Sequence, residues 1–191
     1  MRCYACTKLS FSILCDACQE QFCQTTISTR TIGTLDVISF YKYTVLEPLL
    51  LTKHTPAGYR IYTLLAELTL QPFIEEFIES DDRIIHIIGI DEYVSHGYSH
   101  VACLTHKMHT SYSKPLHASL LARSRVQYAG KDLDFRRNHP RDFVYSGPRD
   151  IDVILVDDII TTGITLREAE ELLTREGVNV LFALCLADAQ I

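Results

Sequence analysis

The run Val153-Ile154-Leu155-Val156 constrains this chain more than any other stretch. Four consecutive aliphatics bounded by acids read as a strand buried on both faces, and such strands belong to parallel sheets covered by helices. Asp157 and Asp158 follow at the strand's C-terminal end, then the polar stretch Thr161-Thr162-Gly163. Leu166, Ala169, Leu172 and Leu173 recur at helical spacing, and Gly177 supplies a stop. The order is strand, acidic pair, loop, helix N-terminus.

Each part of that order has a chemical use. A loop that opens a helix offers unpaired backbone N–H groups and the positive end of the helix dipole, which suit a phosphate. Thr161, Thr162 and Thr165 add hydroxyl donors, and Gly163 permits a positive φ and a close backbone approach. Ionised Asp157 and Asp158 accept hydrogen bonds from sugar hydroxyls or hold Mg²⁺ on oxygen. Acceptors beside phosphate donors call for a ligand with both a diol and a monophosphate, a ribose 5-phosphate.

The rest of the chain repeats the alternation of strand and helix. Val37 to Tyr43 has strand character, and Ile84-Ile85-His86-Ile87-Ile88 reads as a second buried strand. Val178 to Leu186 reads as the last strand, and Leu116 to Arg123 as a short one. Helices are expected over Glu47 to Lys53, over Tyr59 to Ile78 with a bend or break at Pro72, and from Ser99 to Met108. This pattern predicts an α/β domain with a parallel sheet, and a ligand beyond the strand C-termini. The loops after Ile90 and after Val156 then share one rim. The first of them, Gly89 to Val94, is acidic.

Cys3, Cys6, Cys15 and Cys18 form two close pairs with a short spacer, the spacing of two knuckles around one tetrahedral Zn²⁺. Four thiolates close the coordination shell, so the metal is structural. The alternative is a pair of disulfides, which a reducing cytoplasm disfavours. A module of this size buries too little to fold unaided, so metal binding supplies its folding free energy. The expected division is a zinc module over 1–28 and an α/β domain over 29–191. Cys103 and Cys185 sit in apolar runs and read as core thiols.

No run approaches the roughly 18 apolar residues that span a bilayer. The polar, cysteine-bearing start is not a signal peptide, so the chain is expected in the cytoplasm. Net charge is −6, which argues against a generally basic nucleic-acid coat. The charge is uneven: Arg123, Arg125, Lys131, Arg136, Arg137, Arg141 and Arg149 stand against three acids between Arg123 and Arg149. That segment faces phosphates or is a solvated loop.

The stretch from Val153 to Thr165 closely resembles the phosphoribosyl-diphosphate signature of type I phosphoribosyltransferases. That pattern is an aliphatic run, two acids, two residues, Thr-Thr-Gly, one residue, then Thr or Ser. The resemblance implies a Rossmann-like phosphoribosyltransferase fold. It further implies that Asp157 and Asp158 hold the ribose hydroxyls, while Ile159, Ile160, Thr161, Thr162, Gly163, Ile164 and Thr165 wrap the 5-phosphate, with Mg²⁺ on the diphosphate.

With the four cysteines in front, the chain resembles the ComF family of competence proteins over nearly its whole length. Lys53 matches that family's lysine after the first helix. An Arg-Gly-aromatic-Asn-Gln stretch reads here as His96-Gly97-Tyr98-Ser99-His100, keeping the glycine and the aromatic. Gln127, Arg137, Asn138 and Phe143 match a basic loop. The resemblance implies a role in natural transformation: handling incoming single-stranded DNA, with phosphoribosyl diphosphate as ligand and the uptake machinery at the inner membrane as a possible neighbour. The candidate DNA contacts are Arg123, Arg125, Lys131, Arg136, Arg137 and Arg141. The other reading is an active phosphoribosyltransferase that moves phosphoribose to a base or another nucleophile.

Overall fold

A computed structural model of the chain describes residues 1–78, 83–94, 97–123 and 141–190. Its elements run α1 (Asp16–Phe22), β1 (Ser28–Ile32), β2 (Leu35–Lys42), α2 (Tyr43–Leu50), α3 (Pro56–Leu68), α4 (Leu70–Ile78), β3 (Ile85–Gly89), α5 (His100–His106), β4 (Ser113–Pro115), β5 (Leu120–Ala122), β6 (Phe143–Tyr145), β7 (Asp152–Ile160), α6 (Ile164–Arg175) and β8 (Asn179–Asp188).

Six strands form one sheet in the order β1-β2-β8-β7-β3-β4. All neighbours pair parallel except β1 with β2, which is antiparallel. The fold is a mixed α/β structure with a mostly parallel sheet. β7 lies between β8 and β3, which is why its aliphatic run needs no polar face. Ile154 and Val156 pack into the layer of α2 to α5 with Leu46, Ile61, Leu65 and Leu104. Val153 and Leu155 pack into the opposite layer with Leu166, Ala169 and Leu173 of α6. Each such fully buried aliphatic contributes about 1.5–3 kcal/mol.

The strand order reverses between β3 and β7, since β3 leads outward to β4 and β7 leads the other way to β8. Ligands of open α/β sheets sit in the crevice above such a reversal. The expected sharing of one rim by the two loops holds, and the sheet explains it.

Local signals account for the helix ends. Thr55 caps α3 by accepting from the N–H of Gly58, with Pro56 at the first position. Ser99 caps α5 in the same way through Ala102. The long helix expected over Tyr59 to Ile78 is two, broken at Thr69, with Pro72 in the first turn of α4 where its missing N–H costs nothing. The helix expected from Glu47 starts earlier, at Tyr43, and ends at Leu50, so Lys53 lies in the connection to α3.

Three readings of strands change. The strand of the acidic pair runs on to Ile160, because β8 continues to pair with it through Ile160 and Asp188. Asp157 and Asp158 therefore sit within β7 and not beyond its end. The strand expected over Leu116 to Arg123 is only Leu120–Ala122, paired with β6 in a separate two-stranded sheet. β1 and β4 carry no clear sequence signal: one is a polar edge strand and the other has three residues.

Among the described residues no helix is long and apolar enough to cross a membrane. Cys3, Leu14 and Cys18 belong to the same apolar cluster as Tyr41, Ile74 and Leu186, so the N-terminal segment rests on the sheet's larger helical layer.

Candidate functional site

β7 passes into α6 through Thr161, Thr162 and Gly163. The N-cap of α6 is Gly163 at φ 77°, which has no side chain to cap the helix, and the Ile164 N–H donates to the Thr162 hydroxyl at a long 3.5 Å. A side chain there is excluded twice: by the left-handed φ, and because a Cβ would come within 2.8 Å of the Ile32 side chain. The glycine lets the backbone turn sharply into the helix, and first-turn N–H groups of a helix are donors of the kind that receive a phosphate. The loop is held from below. Arg30 donates to the Thr161 carbonyl at 2.7 Å and pairs with buried Asp188 at 3.3 Å. Sequence reasoning missed Arg30, since a lone arginine in a polar edge strand carries no signal.

The two aspartates stand in different surroundings. Asp158 is 6% exposed, and its Oδ2 meets three donors: Lys53 Nζ at 3.2 Å, the Tyr62 hydroxyl at 3.1 Å and His100 Nε2 at 3.4 Å. They come from the α2–α3 connection, from α3 and from α5, so one carboxylate oxygen ties three segments to β7. Burial alone would raise Asp158. The hydrogen bond from His100 and the Lys53 charge overcome it and hold the carboxyl well below the usual carboxylate range. Lys53 is raised in turn, chiefly by the Asp158 charge.

Asp157 is half-buried and moves the other way. Burial first, then the neighbouring Asp158 charge, raise its carboxyl well above the ordinary range; the Lys53 and Arg141 charges oppose this. Its Oδ1 accepts from the N–H of Asp158 at 2.8 Å. Tyr62 and His100 were not found from sequence. Tyr62 reads as one more core position of an amphipathic helix, and only its hydroxyl distinguishes it.

Tyr98 fixes the Lys53 segment, its hydroxyl donating to the carbonyl of Lys53 at 2.6 Å. The aromatic of the His96-to-His100 stretch thus has a local use, and His100 supplies the donor to Asp158; Ser95 and His96 lie outside the described residues.

Both acids of the loop after β3 are engaged by groups of the protein. Glu92 is 4% exposed and accepts from the Ala118 N–H at 2.8 Å and from His117 Nδ1 at 3.1 Å. Gly89 makes room for it, since a Cβ there would come within 2.5 Å of a Glu92 oxygen. Asp91 accepts from the Ala122 N–H at 3.0 Å and pairs with Arg141 at 3.5 Å. These carboxylates already have partners, so the loop's composition overstates its negative charge toward a ligand.

Of the six basic candidates, two fall on described residues. Arg123 is exposed. Arg141 is drawn to the rim, paired with Asp91, while its backbone N–H donates to Glu168 of α6 at 3.0 Å. Arg125, Lys131, Arg136 and Arg137 lie outside the described residues, as do Gln127 and Asn138.

At the other end of the chain the sulfurs of Cys3, Cys6, Cys15 and Cys18 all lie within 4.8 Å of one another, and none is in a disulfide. Among the described residues they are the one such group of potential metal ligands. Their chemistry fits Zn²⁺: four soft ligands converge from two knuckles. Burial opposes ionisation of Cys3, yet N–H groups of Cys6, Cys15 and Ala5 bring its thiol down to about 6. Burial and then the sulfurs of Cys15, Cys6 and Cys3 push Cys18 up to about 12.

Residues 139–190 match the phosphoribosyl transferase domain family. No curated protein sequence matches the chain. Similar solved structures include an adenine phosphoribosyltransferase at 14% identity, TM-score 0.43, covering 89% of this chain and 88% of that one. Adenine phosphoribosyltransferase from Saccharomyces cerevisiae is similar at 15% identity and TM-score 0.45, with 90% and 88% covered. A hypoxanthine phosphoribosyltransferase from Staphylococcus aureus follows at 17% identity and TM-score 0.40, with 66% and 62% covered. The matched residues carry β7, the acidic pair and the loop into α6.

Proposed function

We propose that the protein binds phosphoribosyl diphosphate with Mg²⁺ at the rim above β3 and β7, and that it handles incoming single-stranded DNA in natural transformation. The observation that carries the ligand reading is adjacency. The glycine-led N-terminus of α6 and the Asp157–Asp158 pair lie within one continuous stretch, at the point where strand order reverses. The 5-phosphate takes the Thr161–Thr165 backbone and hydroxyls, and the ribose diol takes carboxylate oxygen. Carboxylate and hydroxyl oxygens are the donor set a hard cation prefers, so the residues fit Mg²⁺. The metal, when bound, screens the diphosphate. The four cysteines hold a structural Zn²⁺.

The DNA role rests on the ComF resemblance and on the local excess of Arg and Lys between Arg123 and Arg149 in a chain of net charge −6. Single-strand binding then weakens with salt, with a log–log slope of about −0.7 per phosphate contact. Filter binding of an oligonucleotide across salt concentrations tests it. A salt-dependent affinity that falls when Arg123 and Arg125 are substituted supports the role, and no retention at low salt removes direct DNA contact.

Phosphoribosyl transfer is the second reading. It is favoured by the acidic pair, whose negative charge is suited to an oxocarbenium-like transition state. Turnover of phosphoribosyl diphosphate with a free base distinguishes it from ligand binding alone.

A further inference from the structure

A buried carboxylate stands behind the exposed imidazole of His117. Glu92, in the loop after β3, is almost fully enclosed, and a carboxylate persists there only where donors surround it. Thr105 of α5 donates to its Oε1 at 2.5 Å, the Ala118 N–H donates to its Oε2 at 2.8 Å, and His117 Nδ1 lies 3.1 Å from the same Oε2. The group has a place made for it. Gly89 ends β3 without a side chain, and a Cβ there would meet Glu92 Oε1. Glycine inside a strand marks such a close approach.

An ionised carboxylate only accepts, so the proton of the neutral ring sits on His117 Nδ1 and the lone pair on Nε2. With Nδ1 spent on Glu92 and 45% of the side chain exposed, Nε2 is the nitrogen left for a ligand. A second imidazole stands beside it. His106 is exposed in the last turn of α5, and the two ring centres are 6.2 Å apart with planes tilted by 32°. A nitrogen bound to an ion at about 2.1 Å puts its ring centre roughly 3 Å away, so two rings on one ion have centres up to about 6 Å apart. The pair stands at that span, and a small turn of either exposed side chain brings it within reach. One ring nitrogen held by a buried carboxylate, the other free, is how outer-shell groups prepare a histidine for a metal.

We propose that His106 and His117 bind a divalent transition-metal ion of the Zn²⁺, Ni²⁺ or Cu²⁺ class at the surface between the end of α5 and the connection after β4, with Glu92 as the positioning carboxylate. Imidazole suits these ions, whereas Mg²⁺ keeps to oxygen, so this site and the acidic pair of β7 take different cations. It also differs from the cysteine group. Four thiolates close a tetrahedral shell, while two imidazoles leave positions for water or a further ligand. The ion would act on the rim through Glu92. The preceding Asp91 accepts from the Ala122 N–H and pairs with Arg141, so an ion that fixes His117 stiffens the whole loop after β3.

The test is calorimetric titration of Ni²⁺ into the full-length zinc-bound protein in excess Mg²⁺, with zinc content measured before and after and thermal unfolding of each variant. Saturable uptake of one Ni²⁺ per chain without release of zinc is expected. The His106→Ala/His117→Ala protein loses that uptake and keeps its unfolding temperature, since both side chains are exposed. His109→Ala, at another exposed histidine, binds as the unaltered protein does. Glu92→Gln weakens Ni²⁺ binding about ten- to hundred-fold. Its amide can donate to His117 Nδ1, which moves the ring proton to Nε2, the nitrogen the ion needs. A role of Glu92 in folding alone would lower the unfolding temperature and leave the affinity unchanged. Equal affinity in folded Glu92→Gln therefore removes Glu92 from the proposal, and if that variant does not fold, the histidine variants decide the site without it. Undiminished uptake in the folded double variant, uptake matched by zinc release, or no saturable uptake at millimolar Ni²⁺ overturns the site.

Discussion

Lys53 Nζ lies 3.2 Å from Asp158 Oδ2, joining the connection after α2 to the strand that carries the acidic pair. The two residues are far apart in sequence, and this contact places a cation under the rim without adding it to the surface. Lys53→Met should leave Asp158 buried with Tyr62 and His100 only. Breaking a buried pair costs about 3–5 kcal/mol, and because Lys53 is partly solvated and two donors remain, about 1–3 kcal/mol is expected here. Urea unfolding at neutral pH measures it. An unchanged midpoint would mean that the ion pair contributes nothing net.

The aspartates carry opposite signs of pH dependence. Asp158 is depressed in the folded chain, so its stabilisation is present above the ordinary carboxylate value of about 4 and is lost as pH falls below it. Asp157 is raised, so its contribution is present below that value and is lost as pH rises through its folded value. Asp157→Asn should therefore stabilise the protein near neutrality and change little near pH 4. Because ligand and Mg²⁺ require the ionised carboxylate, their binding should strengthen with rising pH over the same window. Unfolding and titration series across pH check both signs.

Gly163→Ala should damage the phosphate loop through two separate causes. Backbone strain at φ 77° costs about 1–3 kcal/mol, and the new Cβ meets Ile32. Ile32→Ala should relieve the second cause and leave the first, so the double variant recovers part of the lost stability. Full recovery would show that contact with Ile32, and not φ, is the constraint.

Much of the rim was legible in the sequence because it is local. β7, the acidic pair, the loop and α6 occupy one stretch, and strand burial, glycine and helix periodicity are short-range signals. The cysteine cluster was legible for the same reason. The surroundings of Asp158 were not, since Lys53, Tyr62 and His100 reach it from three other segments. Each looks ordinary in its own stretch: a lysine after a helix, a tyrosine on a helix face, a histidine near a helix start. The acidic loop misled in the opposite direction, because composition counts Asp91 and Glu92 as free surface charge while the fold gives each of them partners. Arg30 and the strand β1 were missed because an edge strand needs no apolar face.

Zinc should be present at one ion per chain on Cys3, Cys6, Cys15 and Cys18. Because Cys3, Leu14 and Cys18 share the larger apolar cluster, chelation should loosen more than the knuckles. The expected outcome is a lower unfolding temperature for the whole chain, with exchange protection lost first before Phe22. Elemental analysis of protein purified without chelators checks the stoichiometry, and absence of zinc would contradict the assignment.

The central claim is that the stretch from Asp157 to Thr165 is a phosphoribosyl-diphosphate site. The most direct measurement is isothermal titration of phosphoribosyl diphosphate with Mg²⁺ into the intact protein and into a Thr161→Ala/Thr162→Ala variant, with circular dichroism to verify folding. The account predicts saturable binding of one ligand per chain that needs Mg²⁺ and weakens at least about ten-fold in the variant, the scale of one or two lost hydrogen bonds to a charged phosphate. Equal affinity in the folded variant, or no heat from the intact protein at millimolar ligand, would contradict it.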